Sequence, residues 1–445
     1  MSGLVTFSYD DRKVISDDPL KEVVQDYFQE EVVSETLLFQ CIDHLKQHQK
    51  DFYPSLCSLL FLRKFAAIQN DKLDDAFREL MMLGKKESFG KSLTLQRGYN
   101  ALANFLFSGT QTDSIEFKQF EKGGALFKDP FPPLLENAEL GLLATYLGKE
   151  WGDEELLGRG LKLTEFFQLL TNRQGDFFPG IWIPEEAYHE ELLETVRLLL
   201  QGEVTPHAAP YLRLMKVALG GRHLLKAKRS PSLMDRSLGF LKYEWNTLSL
   251  VSSFAGKKTG IASLQKNEVA IVSMGPHFAP LADSEYYGIF RPSNGSQEGF
   301  KDLSIELAEG HGKIEGWTRM VSPDEGALSQ SWLHFQLHAE EEEVGITLRK
   351  SHETEQELYF VFFVHADHAC VEEGETFFPK ALQRFEGTSQ KVFFEKGESL
   401  LEIIPESDGE MKLIPLAGGT HFWSANFLVA FSIPKKLASY SWTVK

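Results

Sequence analysis

The sequence predicts an α+β multidomain chain, an N-terminal all-α helical-hairpin domain over residues 1–242 followed by a C-terminal antiparallel β-sandwich domain over residues 243–445. Three observations carry that prediction. Apolar residues recur at spacings of three and four from Asp18 to about Leu241. Near Tyr243 the period shortens towards two, and from there on short strand-like runs alternate with Gly, Pro and Asp-Gly breaks, with no helical stripe of convincing length among them.

The helical half divides into stripes, each of which buries one helix face. The first holds Val23, Val24, Tyr27 and Phe28, and the second Leu37, Leu38, Cys41 and Leu45. Leu56, Leu59, Leu60, Leu62 and Phe65 follow, then Leu73, Phe77, Leu80 and Met81. Later stripes are Leu140, Leu143 and Leu147, then Leu161, Phe166, Leu169 and Leu170, and last Leu192, Leu193, Val196, Leu199 and Leu200. Asp18, Ser34, Asp71 and Asp153 are placed to cap helix N-termini, and Gly84, Gly109, Gly148 and Gly202 to end helices. Short loops make antiparallel hairpins the economical arrangement.

Strands are predicted over Asn267–Met274, Ser331–Ala339, Val344–Arg349 and Glu357–His365. Four more follow at Gln390–Phe394, Leu400–Ile404, Lys412–Leu416 and Asn426–Ile433, with Asp408-Gly409 as a turn. Glu340–Glu343 reads as a solvated turn.

Composition narrows the function classes. The 445 residues are 42% hydrophobic and 25% charged, ordinary for a globular chain with a large core. A formal net charge of −18 denies the chain the basic footprint that nucleic acid demands, so no nucleic-acid partner is expected. No apolar run is long enough for a membrane span, and no apolar leader follows Met1, so the expected location is cytoplasmic. Cys41, Cys57 and Cys370 are too few for a disulfide framework and read as three reduced, buried thiols. Serine-elbow, P-loop, HExxH and dinucleotide-binding patterns are all absent.

From Glu136 to Pro184 a more specific pattern appears. A Leu/Ala-rich helix runs into Tyr146-Leu147-Gly148, an acidic cap follows at Trp151-Gly152-Asp153-Glu154, and a second helix leads to Phe167. An aromatic loop closes the segment at Gln174-Gly175-Asp176-Phe177-Phe178-Pro179-Gly180-Ile181-Trp182. This segment resembles one hairpin of an (α/α) toroid, and a toroid followed by a β-sandwich is similar to the polysaccharide lyases, notably the heparinase II/III-like and chondroitin-lyase groups. The resemblance implies a poly- or oligosaccharide partner and β-elimination chemistry.

Lyases remove a proton α to a carboxylate and protonate the leaving oxygen, roles that Tyr and His serve together. On the resemblance, Tyr188 and His189 form the acid/base pair, while Asn100 and Arg97 hold the substrate's acidic group from one helix, near Tyr99 and Asn104. Trp182 and Phe178 supply stacking surfaces, and Arg222 and Lys226 belong to a basic patch in an acidic chain. His277, in the turn-like Met274-Gly275-Pro276-His277, and Tyr287 complete the substrate-binding set. No organic cofactor is expected. His334, His338, His365 and His368 are the candidate ligands of a structural metal ion, which some heparinase-like sandwiches carry.

The expected function is therefore that of a carbohydrate-active or carbohydrate-binding protein resembling heparinase II/III-like lyases, either active or a degenerate descendant. A glycosidase of the same toroid class requires two carboxylates facing each other across a cavity. The other reading is a non-catalytic interaction protein whose helical repeats and β-sandwich bind a protein partner.

Overall fold

The computed structural model describes residues 19–49, 51–111, 121–122, 125–126, 134–171, 177, 189–220, 232–236, 238–254, 260–278, 297–322, 326–354, 356–372, 374–381, 383–416, 425–436 and 438–445. Two compact units result. The first comprises Met1–Leu126, Pro133–Gln168 and Glu190–Ala227, the second Phe127–Pro132, Leu169–His189 and Lys228–Lys445.

Among the described residues nine helices form: α1 (Pro19–Glu30), α2 (Glu35–His48), α3 (Phe52–Phe65), α4 (Asp71–Lys86), α5 (Leu93–Ser108), α6 (Leu134–Trp151), α7 (Glu154–Leu169), α8 (His189–Gln201) and α9 (Pro210–Leu219). A two-stranded ribbon, β1 (Glu121–Lys122) with β2 (Ala125–Leu126), lies between α5 and α6 in sequence. In the first unit α3 packs against α2, α5 and α9, and α5 against α4 and α6.

The caps follow the sequence in part. Ser34 caps α2 by accepting from the Leu37 amide, and Gly109 ends α5 with a φ of 70°. Asp153 accepts from the Leu156 amide at the start of α7. For α4 the cap is Asn70, which accepts from the amides of Lys72 and Leu73, while Asp71 is the first helical residue.

Two glycines expected at helix ends lie inside helices, and packing explains both. Gly84 is within α4, where an added Cβ would stand 3.0 Å from the Phe52 ring. Gly148 lies within α6, and its missing side chain admits the backbone of α7. A Cβ there would meet the Leu157 nitrogen at 2.5 Å. The turn falls instead at Gly152, whose φ of 66° suits glycine. Facing Gly148 along the same crossing, Gly160 of α7 lies against Thr145 of α6. Helix α6 is buried on every face from Asn137 to Gly148, so its apolar pattern shows no stripe.

In the second unit the strands begin at Leu233. They run β3 (Leu233–Asp235), β4 (Phe240–Trp245), β5 (Leu248–Ser253), β6 (Ala262–Lys266), β7 (Val269–Phe278), β8 (Lys301–Ala308), β9 (His311–Thr318), β10 (Leu333–Glu340) and β11 (Glu343–Lys350). Then come β12 (Leu358–His365), β13 (His368–Val371), β14 (Thr376–Phe377), β15 (Phe385–Thr388), β16 (Val392–Lys396) and β17 (Ser399–Pro405). The last are β18 (Glu410–Pro415), β19 (Phe427–Ile433) and β20 (Ser439–Val444).

These strands make two nine-stranded sheets, ordered β14-β13-β16-β17-β20-β11-β10-β9-β8 and β15-β18-β19-β12-β7-β6-β5-β4-β3. One apolar core joins them, with Phe335, Leu337, Ile346 and Trp442 from the first sheet meeting Leu250, Ile271, Phe360 and Phe362 from the second. The first sheet alternates between buried and partly exposed residues, as in β9 and β10, the pattern of a sheet with one wet face. The central strands β5, β7 and β12 of the second sheet are buried almost throughout, so both faces of that sheet are covered.

Candidate active site on the second sheet

The second sheet's face turned away from the sandwich core carries polar groups that burial must compensate. On β4, Lys242 and Glu244 stand 3.6 Å apart with both side chains buried. The Lys242 ammonium donates to the Thr171 carbonyl, and Ser249 donates to Glu244 at 2.7 Å. Ser263 of β6 donates to the Val272 carbonyl at 2.8 Å, beside a bulge in β7.

Farther along β7 stands His277, 3% exposed. It is in the strand and buried, where the sequence suggested a turn after Gly275-Pro276. The reason is local: β6 stops at Ala262, opposite Met274, so beyond that point a proline breaks no ladder on the β6 side. Gly275 is required because the backbone of Gly260 packs on it, 2.8 Å from where a Cβ would be. In register, His277 pairs with Tyr359 of β12. Both side chains therefore point to one face, opposite to Phe360 and Phe362 in the core. The Phe363 ring lies 5.7 Å from the imidazole. Burial holds the imidazole down at about 4, so it is neutral at neutral pH. A neutral imidazole can accept a proton and a phenol can donate one, and the Tyr359 side chain is half-buried.

The other sequence-predicted residues are distributed as follows. Tyr188, Trp182, Phe178, Arg222, Lys226 and Tyr287 lie outside the described residues. His189 is the first residue of α8. Arg97 is exposed on α5. Asn100 lies one turn farther on and donates to the Gly84 carbonyl at 3.3 Å, a brace on the end of α4, while Asn104 donates back to the Asn100 carbonyl at 2.7 Å.

The four histidines proposed as metal ligands do not gather. His334 packs against Trp317 at 4.8 Å, and His338 bonds to His311 at 3.2 Å. His368 contacts Glu395 at 3.1 Å, and His365 ends β12 in the other sheet. Their residue types suit a metal but their placement does not, and no group of three or more His, Cys, Asp or Glu among the described residues is disposed to hold one. The thiols of Cys41 and Cys57 are buried, whereas Cys370 is only partly covered.

A second polar cluster lies in the helical unit. Glu139, buried on α6, accepts from Tyr99 of α5 at 2.7 Å and from Lys91 at 3.0 Å. Burial pushes the Glu139 carboxyl above its usual range despite both bonds. Burial works to lower the Lys91 ammonium, and the adjacent Glu139 carboxylate outweighs it, leaving it raised. These bonds tie α5 to α6. Tyr99 was visible in sequence as part of the Arg97–Asn104 group, whereas nothing in the sequence set its partner Glu139 apart from Glu136 and Glu150 on the same helix.

No family model and no curated protein matches the sequence. Solved structures do match. A mutant of heparan sulfate lyase HepC from Pedobacter heparinus aligns with a TM-score of 0.54 and 10% identity, covering 96% of this chain and 74% of that one. Heparinase III aligns at 0.52 and 8% identity, covering 96% and 75%. Xanthan lyase from Paenibacillus aligns at 0.53 and 8% identity over 96% of this chain, which spans 52% of the lyase. The fold is similar to that of these polysaccharide lyases. Helices followed by two antiparallel sheets thus match the predicted toroid and sandwich. At such identity the likeness concerns the fold. No helix among the described residues is long and apolar enough to cross a membrane.

Proposed function

We propose that this protein acts on an acidic polysaccharide by β-elimination, with His277 and Tyr359 handling the protons. The observation that carries the reading is a buried, neutral imidazole paired in register with a tyrosine, on a sandwich shaped like those of polysaccharide lyases. In the proposed reaction a base takes the proton from the carbon α to a uronate carboxylate. The electron pair forms a double bond to the β carbon, the bond from that carbon to the glycosidic oxygen breaks, and the oxygen receives a proton. In this reading His277, neutral at neutral pH, is the base, and the Tyr359 phenol is the donor to the leaving oxygen. Tyr188 and His189, the acid/base pair that the sequence resemblance implies, remain the alternative assignment for the same two roles.

The test is incubation of purified protein with heparan sulfate, chondroitin sulfate and xanthan, following the ultraviolet absorbance of the unsaturated uronate. Activity in the wild type, lost in His277→Ala and reduced in Tyr359→Phe, is the expected result. No product and no binding across an array of acidic glycans would overturn the carbohydrate reading and leave the protein-interaction reading. Binding without product would make the protein a degenerate, sugar-binding member of this architecture.

A further inference from the structure

The wet face of the first sheet holds a row of residues that the lyase reading does not use. Lys301 of β8, Trp317 of β9, His334 of β10 and Arg349 of β11 stand opposite one another across four neighbouring strands. Burial alternates along these strands, and Trp317, His334 and Arg349 fall on the wet side of the alternation. At about 4.8 Å per strand, the backbone of the row spans about 14 Å from the lysine to the arginine. Lys301 reaches this face through a bulge. One extra residue stands in β8 between Lys301, opposite Trp317, and Ser304, opposite Glu315, and Asp302 takes a left-handed φ of 52° there. Strict alternation would put Lys301 and Ser304 on opposite faces, so the bulge is what aims the lysine at the row.

Aromatic surface and positive charge coincide in this row. The Trp317 ring lies 4.8 Å from the His334 ring. Trp332, just before β10, has the Lys301 ammonium 4.5 Å and the Arg319 guanidinium 4.6 Å from its ring centre. The nearby acids are engaged elsewhere, Glu298 with Arg319 at 2.6 Å and Glu315 with Lys313 at 3.0 Å. Among the described residues neither Lys301 nor Arg349 has an ion-pair partner, and both are exposed. Burial holds His334 below its ordinary range, so at neutral pH the charge of the row comes from Lys301 and Arg349. In a chain of net charge −18 these two cations reverse the sign locally.

The geometry points to a non-catalytic surface on this face that binds a segment of an acidic oligosaccharide. Trp317 offers its ring to the apolar face of a sugar, and Lys301 and Arg349 pair with carboxylate or sulfate groups on either side of it. Trp332 holds Lys301 in place from beneath the row. The choice of a sugar over an acidic peptide rests on the lyase reading. The surface is separate from the His277 face, because β8 to β11 belong to the other sheet. A polymer held here stays at high local concentration around the protein between cleavage events.

Calorimetric titration with heparan sulfate, chondroitin sulfate and xanthan fragments at about 0.15 M ionic strength tests the surface. It is run on His277→Ala protein, so that the ligand stays intact. Binding of at least one glycan is expected, with affinity lowered more than about tenfold when Trp317→Ala is added. Lys301→Gln with Arg349→Gln, added together, is expected to do the same. That pair alters only exposed side chains and keeps the test decisive should the tryptophan variant not fold, which circular dichroism melting verifies. In an otherwise wild-type chain the same substitutions are expected to raise KM for the polymer and leave kcat on short fragments unchanged. Undiminished affinity in the folded variants would overturn the surface, and product formed by the wild type would then leave the lyase reading standing. Affinity lost in the variants, with no unsaturated product from the wild type, would uphold the surface and sink the lyase reading. No binding of any acidic glycan, or equal binding of polyglutamate, would overturn the assignment to a saccharide.

Discussion

His277 and Tyr359 stand directly across from each other on β7 and β12, facing away from the sandwich core, and the imidazole is the more deeply buried of the two. Their relation decides how the protein should respond to acid. Burial holds His277 at about 4 against an ordinary value of 6.5. The unfolded chain therefore takes up this proton first as the pH falls. Stability that is full above about 6.5 is lost as the pH drops towards about 4, by about 3 kcal/mol for this group. Urea denaturation at both ends of that window should show wild-type protein losing about that much more than His277→Gln. Equal losses would mean that the imidazole is not held neutral in the folded state.

The pairing itself was beyond reach of the sequence. The run Leu358–His365 is apolar on both faces, since Leu358, Phe360 and Phe362 enter the core while Val361 and Phe363 are buried on the opposite side. Without polar alternation, nothing in the run says which residues share a face with His277. By contrast, β10 and β11 announce themselves, because one of their faces is wet and the Glu341-Glu342 turn joins them. The helical half was legible for the same reason wherever a helix has a solvated side, as in α2 and α4. It misled at Gly84 and Gly148, where glycine serves close packing rather than chain reversal. For the histidines, type and spacing along β10 were visible, but the partner of His338 lies on another strand, and pairing across strands is not written in local spacing.

The α6–α7 crossing gives two opposite expectations from one helix. An alanine Cβ at Gly160 would stand 2.3 Å from the Thr145 hydroxyl and 2.8 Å from its backbone nitrogen. Gly160→Ala should therefore cost about 1–3 kcal/mol by forcing the helices apart. At Gly158 nothing lies within 4 Å. Gly158→Ala should stabilise by about 0.5–1 kcal/mol through helix propensity and a less flexible unfolded chain. Chemical denaturation of the two variants is the comparison, and similar effects would contradict the close approach.

Lys91, partly covered, and the buried Glu139 make a pair whose value depends on both partners. Lys91→Met leaves the Glu139 carboxylate with Tyr99 alone, and breaking such a pair from one side costs about 3–5 kcal/mol. Lys91→Met combined with Glu139→Gln removes the stranded charge, so the double variant should recover much of that loss. A double-mutant cycle at neutral pH measures the coupling. Additive losses would show that the two groups are not coupled as the 3.0 Å contact requires.

Net charge supplies the last expectation. At −18 the chain repels an acidic polysaccharide at long range. Raising the ionic strength from about 0.01 M to about 0.15 M shortens the screening length from about 30 Å to about 8 Å. For a substrate whose binding depends on local contacts, the repulsion fades before those contacts do. Activity at limiting substrate should therefore rise over that range, the reverse of the behaviour of a basic glycan binder. A fall across the same range would mean that a basic surface dominates association, and Arg222→Ala with Lys226→Ala would then be the variant in which the fall disappears.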